Sequence, residues 1–174
     1  PTGRKVVVWG VANCYVKGDH VVEEWVVYNE ISLIRQLGYN PMKVLEATAN
    51  KGGSAKADTG TWGEIERLNG EFAPDKFGDN NGRYSDIEYF IRKSYHEIYN
   101  RRMFNQFKDN YAPDYRYHGP SDRELVGRGD FLQDQLNLFQ AFPNLAMQVE
   151  DVYYLYDEKR DEYRCATRWN IIGT

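Results

Sequence analysis

The chain has 174 residues and a formal net charge of −4, from 22 basic and 26 acidic side chains mixed along its length. That length fits one domain, and the charge balance offers neither a basic footprint for nucleic acid nor a polybasic arm for a membrane. No apolar run approaches the ~20 residues that span a bilayer. Pro1-Thr-Gly-Arg-Lys5 is no signal peptide, so the expected location is cytoplasmic.

The two cysteines, Cys14 and Cys165, fall in expected strands and read as buried reduced thiols. His20, His96 and His118 are scattered without metal-ligand spacing, so no metal is expected. The 14 Tyr, 8 Phe and 4 Trp suit a wide apolar pocket with a few polar handles. They suit a thick core equally well.

In chain order, Lys5–Tyr15 reads as a β-branched strand, Lys17-Gly-Asp19 as a hairpin turn and His20–Tyr28 as the returning strand. Glu23, Trp25 and Val27 share one side of it, with Asn29 next in the same parity. From Glu30 the period becomes helical through Ile31, Ile34 and Leu37, and Gly38 is placed to end the helix in a left-handed cap. Residues 39–83 read as a linker, with a loop-forming Asn50–Ser54, a polar Asp75–Arg83 and one short amphipathic helix at Trp62–Leu68.

Ser85 and Glu88 then form a capping box. The helix behind it carries Ile87, Phe90, Ile91, Tyr95 and Ile98 on one stripe and runs to about Arg102. A short helical piece follows at Phe104–Asn110. Tyr115–His118 is extended, and Gly119-Pro120 stops it. Asp130 and Gln133 repeat the capping pattern for a helix over Phe131–Gln140. Strands at Leu145–Tyr156 and Tyr163–Ile172 close the chain around a charged turn, Asp157–Asp161.

Four runs together, "VEEWVVYNEISLIRQLG" (22–38), "YAPDYRYHGP" (111–120), "AFPNL" (141–145) and "RWNIIGT" (168–174), resemble the SnoaL-like polyketide cyclases, or predicted ester cyclases. In that family the half ending in "RW…GT" precedes the half that opens "PTGR…VEEW", so the halves stand here in permuted order. A circular permutant and a segment cut from a tandem pair both give that order, and the long linker fits the second better. The resemblance implies an α+β fold: a curved antiparallel sheet backed by helices, cone-shaped and nuclear-transport-factor-like. Residues 1–38 would be the C-terminal half and 84–174 the N-terminal half, together one complete cone. One chain or two exchanging halves would close it, and a homodimer through the outer sheet faces is expected.

The resemblance also assigns a site. The family's acid/base aspartate falls at Asn29, whose amide can neither accept nor release a proton at neutral pH. Asn29 would then orient rather than abstract, and it reads equally as the N-cap of the following helix. Glu30 has the opposite strand parity and reads as a helix-start carboxylate. His118, at the expected pocket mouth, is the other catalytic candidate; its ordinary reading is a ring that fixes the Gly-Pro turn.

Trp25, Tyr99, Tyr115, Arg168 and Trp169 are the substrate-binding candidates. Trp25 is a pocket wall or plain core. Tyr99 could hold an enolate oxygen or be a core tyrosine with a satisfied hydroxyl. Arg168 anchors a carbonyl or carboxylate if its strand face is concave, and is a surface charge if convex. His20 and His96 read as solvated. Glu23-Glu24 and Glu150-Asp151 point to opposite faces of their strands, so neither pair makes a carboxylate dyad.

The expected function is cofactor-free acid/base chemistry on a small enolisable carbonyl compound, a polyketide or ester, with an apolar or aromatic small molecule as partner. The alternative is a non-catalytic ligand-binding or dimeric scaffold domain that has lost its acid/base carboxylate.

Overall fold

A computed structural model describes residues 2–49 and 74–173. The chain divides into two units: Pro1–Asp58 with Tyr117–Leu125, and Thr59–Arg116 with Val126–Thr174. The expected helix at Trp62–Leu68 lies outside the described residues, as does the whole of Asn50–Ser54.

In the first unit, β1 (Gly10–Lys17) and β2 (His20–Tyr28) pair antiparallel from Gly10↔Tyr28 to Lys17↔His20, with a register shift between Tyr15 and Val16. Gly18 at φ 65° makes the expected turn. The first strand begins later than the apolar pattern suggests: residues 5–9 are not in strand, and the Gln36 side chain takes up the Val7 backbone instead. Val7 N–H donates to Gln36 Oε1 at 2.9 Å and Gln36 Nε2 donates to Val7 O at 2.8 Å. One side-chain amide thus replaces a ladder partner.

Helix α1 (Glu30–Gln36) ends as the glycine predicts. Gly38 sits at φ 88°, its N–H bonds Arg35 O at 2.8 Å, and Tyr39 N–H bonds Ile34 O at 3.1 Å. This bond pair is the Schellman motif, which a residue with a Cβ disfavours. A second helix, α2 (Pro41–Ala49), occupies the start of the expected linker. Asn40 Oδ1 accepts from Met42 N–H at 2.9 Å, and proline at the first helical position needs no donor partner.

In the second unit, α3 (Asp86–Tyr95) starts at Ser85, whose Oγ accepts from Glu88 N–H at 3.3 Å. Only half of the expected capping box forms, because the Glu88 carboxylate turns to Arg92 Nε at 2.8 Å. The helix widens into a π-helical turn, His96–Asn100, and α4 (Gln106–Asn110) follows. Strands β3 (Arg116–Gly119) and β4 (Arg123–Val126) pair across a turn, Pro120–Asp122, whose tip belongs to the first unit.

Helix α5 (Arg128–Ala141) begins three residues before the position that Asp130 suggested. Gly127 takes the N-cap at φ 93°, its N–H bonding Tyr115 O at 2.7 Å. Strands β5 (Ala146–Asp157) and β6 (Glu162–Ile172) pair antiparallel, with a register shift between Val149 and Asp151.

The class is α+β, with the strands arranged as three two-stranded antiparallel or hairpin ladders among the described residues rather than one continuous curved sheet. The core lies in the second unit, where Ile98, Phe107, Phe131, Phe139, Leu145 and Met147 are buried. Both cysteines are exposed, contrary to the buried thiols expected from strand position, as are most residues of β1 and of the first half of β6. No helix among the described residues is long and apolar enough to cross a membrane.

Candidate functional site

In the first unit, Asn29 is 2% exposed and sits at the N-terminus of α1. It is the N-cap residue, as expected, and its carbonyl takes the Leu33 N–H at 3.2 Å, but its side chain makes no capping bond to that helix. It reaches the 120–122 turn instead: Ser121 N–H donates to Asn29 Oδ1 at 3.0 Å, and Asn29 Nδ2 donates to Asp122 Oδ1 at 3.2 Å. Arg35 Nη1 adds a bond to Ser121 O at 3.0 Å. The turn these groups hold is strained, with Ser121 at φ 64° and Asp122 at φ 61°. Two consecutive non-glycine residues in the left-handed region persist only where the surroundings impose it.

His118 lies on β3 next to this turn, exposed, with Nδ1 2.5 Å from Glu124 Oε2. The strand therefore presents the imidazole to a carboxylate of its own hairpin. Trp25 is 39% exposed and stands opposite Asn13 on β1, so the shared parity with Asn29 does not give the two side chains a shared burial. Glu30 opens α1 as expected, and His20 pairs with Asp19 at the exposed hairpin tip.

The second unit assembles an aromatic cluster. Tyr99, on the π-helical turn, is buried, and its hydroxyl donates to Gln135 Oε1 of α5 at 2.8 Å. Gln135 Nε2 in turn donates to Asp134 Oδ2 at 3.1 Å, which orients the amide. Tyr95 stacks on Tyr99 at 5.7 Å, and Phe139 lies 5.9 Å away. Tyr115 packs between Tyr111, at 5.0 Å, and Phe131, at 4.9 Å. Burial, and then Tyr95 and Tyr115, push the Tyr111 hydroxyl well above the usual tyrosine range.

The same turn buries a carboxylate that the sequence reading passed over. Glu97 accepts from Arg101 Nη1 at 2.5 Å and from Phe77 N–H at 3.1 Å. His96, expected to be solvated, makes contact instead: Nε2 lies 2.9 Å from Asp75 O, and its ring centroid is 5.4 Å from that of Phe77. A π-helical turn rotates side chains away from the ideal stripe, so a helical-wheel reading misplaces those at its start. Asn100 completes the turn by bonding Met147 twice, N–H to Oδ1 at 2.7 Å and Nδ2 to O at 2.8 Å.

The β5–β6 bulge overturns the parity reading of Glu150 and Asp151. Val149 faces Trp169 and Asp151 faces Arg168, so Glu150 is the extra residue and both acids oppose Arg168. Arg168 Nε is 2.8 Å from Glu150 Oε2, and Nη2 is 2.5 Å from Asp151 Oδ2. Asn170 also donates to Glu150. From α3, Arg92 caps the bulge, bonding Val149 O at 2.8 Å and Glu150 O at 3.1 Å. The Arg168 guanidinium is thus committed to two carboxylates of its own chain, and the neighbouring Trp169 is exposed. Among the described residues no three His, Cys, Asp or Glu side chains gather as a metal site.

Within the first unit the structure brings Asn29 beside the turn that adjoins His118, and within the second it joins Tyr99 with Tyr95 and Tyr115 with Phe131. Residues 90–174, from α3 to the end of β6, match the family model of the SnoaL-like polyketide cyclases over a little under half of the chain. No curated protein and no solved structure matches. That stretch is similar to the family, and the mixed helices and strands are consistent with its α+β class.

Proposed function

We propose that this protein carries out cyclase-type acid/base chemistry, without a cofactor, on a small enolisable carbonyl compound of the polyketide or ester class. The SnoaL-like match over residues 90–174 is the observation that carries this reading. The buried aromatics of that stretch, with the Tyr99–Gln135 pair as their polar handle, suit a planar apolar ligand. Residues 84–174 would correspond to the first half of such a domain and residues 1–38 to the second half, in permuted order, with the protein acting as a homodimer. Asn29 orients a neighbouring group rather than taking a proton itself, and His118, on the strand that leads into the 120–122 turn, is the other catalytic group.

A second reading, a non-catalytic ligand-binding or scaffold domain, is favoured by one observation. The Asn29 amide, which stands where the family's aspartate falls, spends both of its polar atoms on the 120–122 turn. Solvent-deuterium incorporation into an aryl methyl ketone, followed by proton NMR, separates the two. Incorporation well above the buffer rate is expected for the enzyme. Incorporation at the buffer rate would leave the scaffold, and native mass spectrometry of the purified protein then reports whether it is a dimer and whether a small molecule travels with it.

A further inference from the structure

We propose that Asp122 is the general base of this protein, supplying the carboxylate that position 29 lacks. The inference rests on the acid/base reading above. An amide at position 29 cannot take a proton, but it can hold a group that does. Asn29 Nδ2 bonds Asp122 Oδ1 at 3.2 Å, while Asn29 Oδ1 takes the Ser121 N–H at 3.0 Å and thereby fixes which way round the amide stands.

The backbone serves the same end. Ser121 and Asp122 both lie at positive φ, 64° and 61°, and Arg35 Nη1 donates to Ser121 O. This turn is strained, and its restraints converge on placing one carboxylate against one buried amide. Asn29 is buried whereas Asp122 is exposed, as a group that must reach a substrate has to be. The other acids nearby lack that link: Glu124 pairs with His118, and Glu30 opens α1 on the exposed side.

The chemistry balances without a co-reactant. Asp122 Oδ2 takes the proton from the carbon next to a carbonyl, and the C–H electron pair becomes the enolate double bond as the carbonyl π pair moves to oxygen. The enolate carbon then bonds to a second carbonyl carbon of the same molecule. The oxygen of that carbonyl takes the proton back from Asp122, which returns to its ionised form. Asn29 acts here as a positioning residue, holding Oδ1 throughout.

The test is deuterium incorporation into an aryl methyl ketone by wild type, Asp122→Asn and Asp122→Gly. Thermal unfolding of each variant reports its fold, and glycine suits the positive φ at this position. Asp122→Asn, which keeps an oxygen for Asn29, is expected to lose roughly 100-fold or more of the enzymatic rate. Asp122→Gly is expected to lose as much and to regain exchange when acetate is added. Either variant exchanging at the wild-type rate without acetate overturns the role of Asp122 and leaves the wider reading intact. Wild type exchanging no faster than buffer overturns both.

Discussion

The two units are held together by different physics. In the second, large apolar side chains fill a core: Ile98 and Leu145 have no exposed surface, and Phe107 has almost none. In the first, the buried residues among those described are Asn29, Ser32 and Gly119, none of them large or apolar. Valines on both faces of the β1–β2 hairpin, such as Val11, Val21, Val22 and Val27, stay exposed. A two-stranded hairpin by itself is marginal in water, and among the described residues of this unit amide side chains that grip backbone add to it, Gln36 on Val7 and Asn29 on Ser121. The second unit uses the same grip at Asn100, but there it is added to a core rather than standing in for one.

Substitutions can break that contrast. The largest expected effect is Phe107→Ala, which opens a cavity beside Phe131 and should cost about 3–5 kcal/mol in urea unfolding. A loss under about 1 kcal/mol would mean that this core is not what carries the second unit. Asn29→Ala comes next. It strips a buried clip and should cost about 1–3 kcal/mol, read most directly as faster amide hydrogen exchange at Ser121. Exchange there at the wild-type rate would show that Arg35 alone suffices.

Alkaline titration sharpens the comparison within the second unit. The Tyr111 hydroxyl is held above its ordinary value of about 10, so its neutral form is favoured by folding. Its contribution is complete below about pH 10 and is lost as the pH rises from there towards the folded-state value, by up to about 1.4 kcal/mol per pH unit. Tyr111→Phe should flatten that alkaline arm of the stability curve, and an unchanged arm would place its origin elsewhere. The smallest effect is expected at Val27→Ala in β2, within about 0.5 kcal/mol. A larger loss would reveal a covering surface over this exposed strand.

Much of the architecture was legible in the residues. Both long hairpins, the Gly38 cap and the Ser85 helix start follow from local pattern, and local pattern is what capping and alternation report. Helix α2 was legible too: Asn40-Pro41 is an N-cap followed by proline at the first helical position, a signal outweighed by the polar run beyond it. Three features were not. Alternation cannot announce a bulge, so Glu150 and Asp151 looked opposed when both face Arg168. A π-helical turn cannot be counted off a wheel, so His96 looked solvated. The contact between Asn29 and Asp122 joins residues 93 apart, a separation at which no local rule operates.

That separation has a consequence for how the protein is made. The first unit takes its last piece from Tyr117–Leu125, a segment flanked on both sides by residues of the second. While the chain is being synthesised, the hairpin and α1 emerge long before the turn that Asn29 grips. Asn29 therefore waits unclipped through the translation of more than half of the chain, and the first unit gains its last piece only after much of the second has emerged.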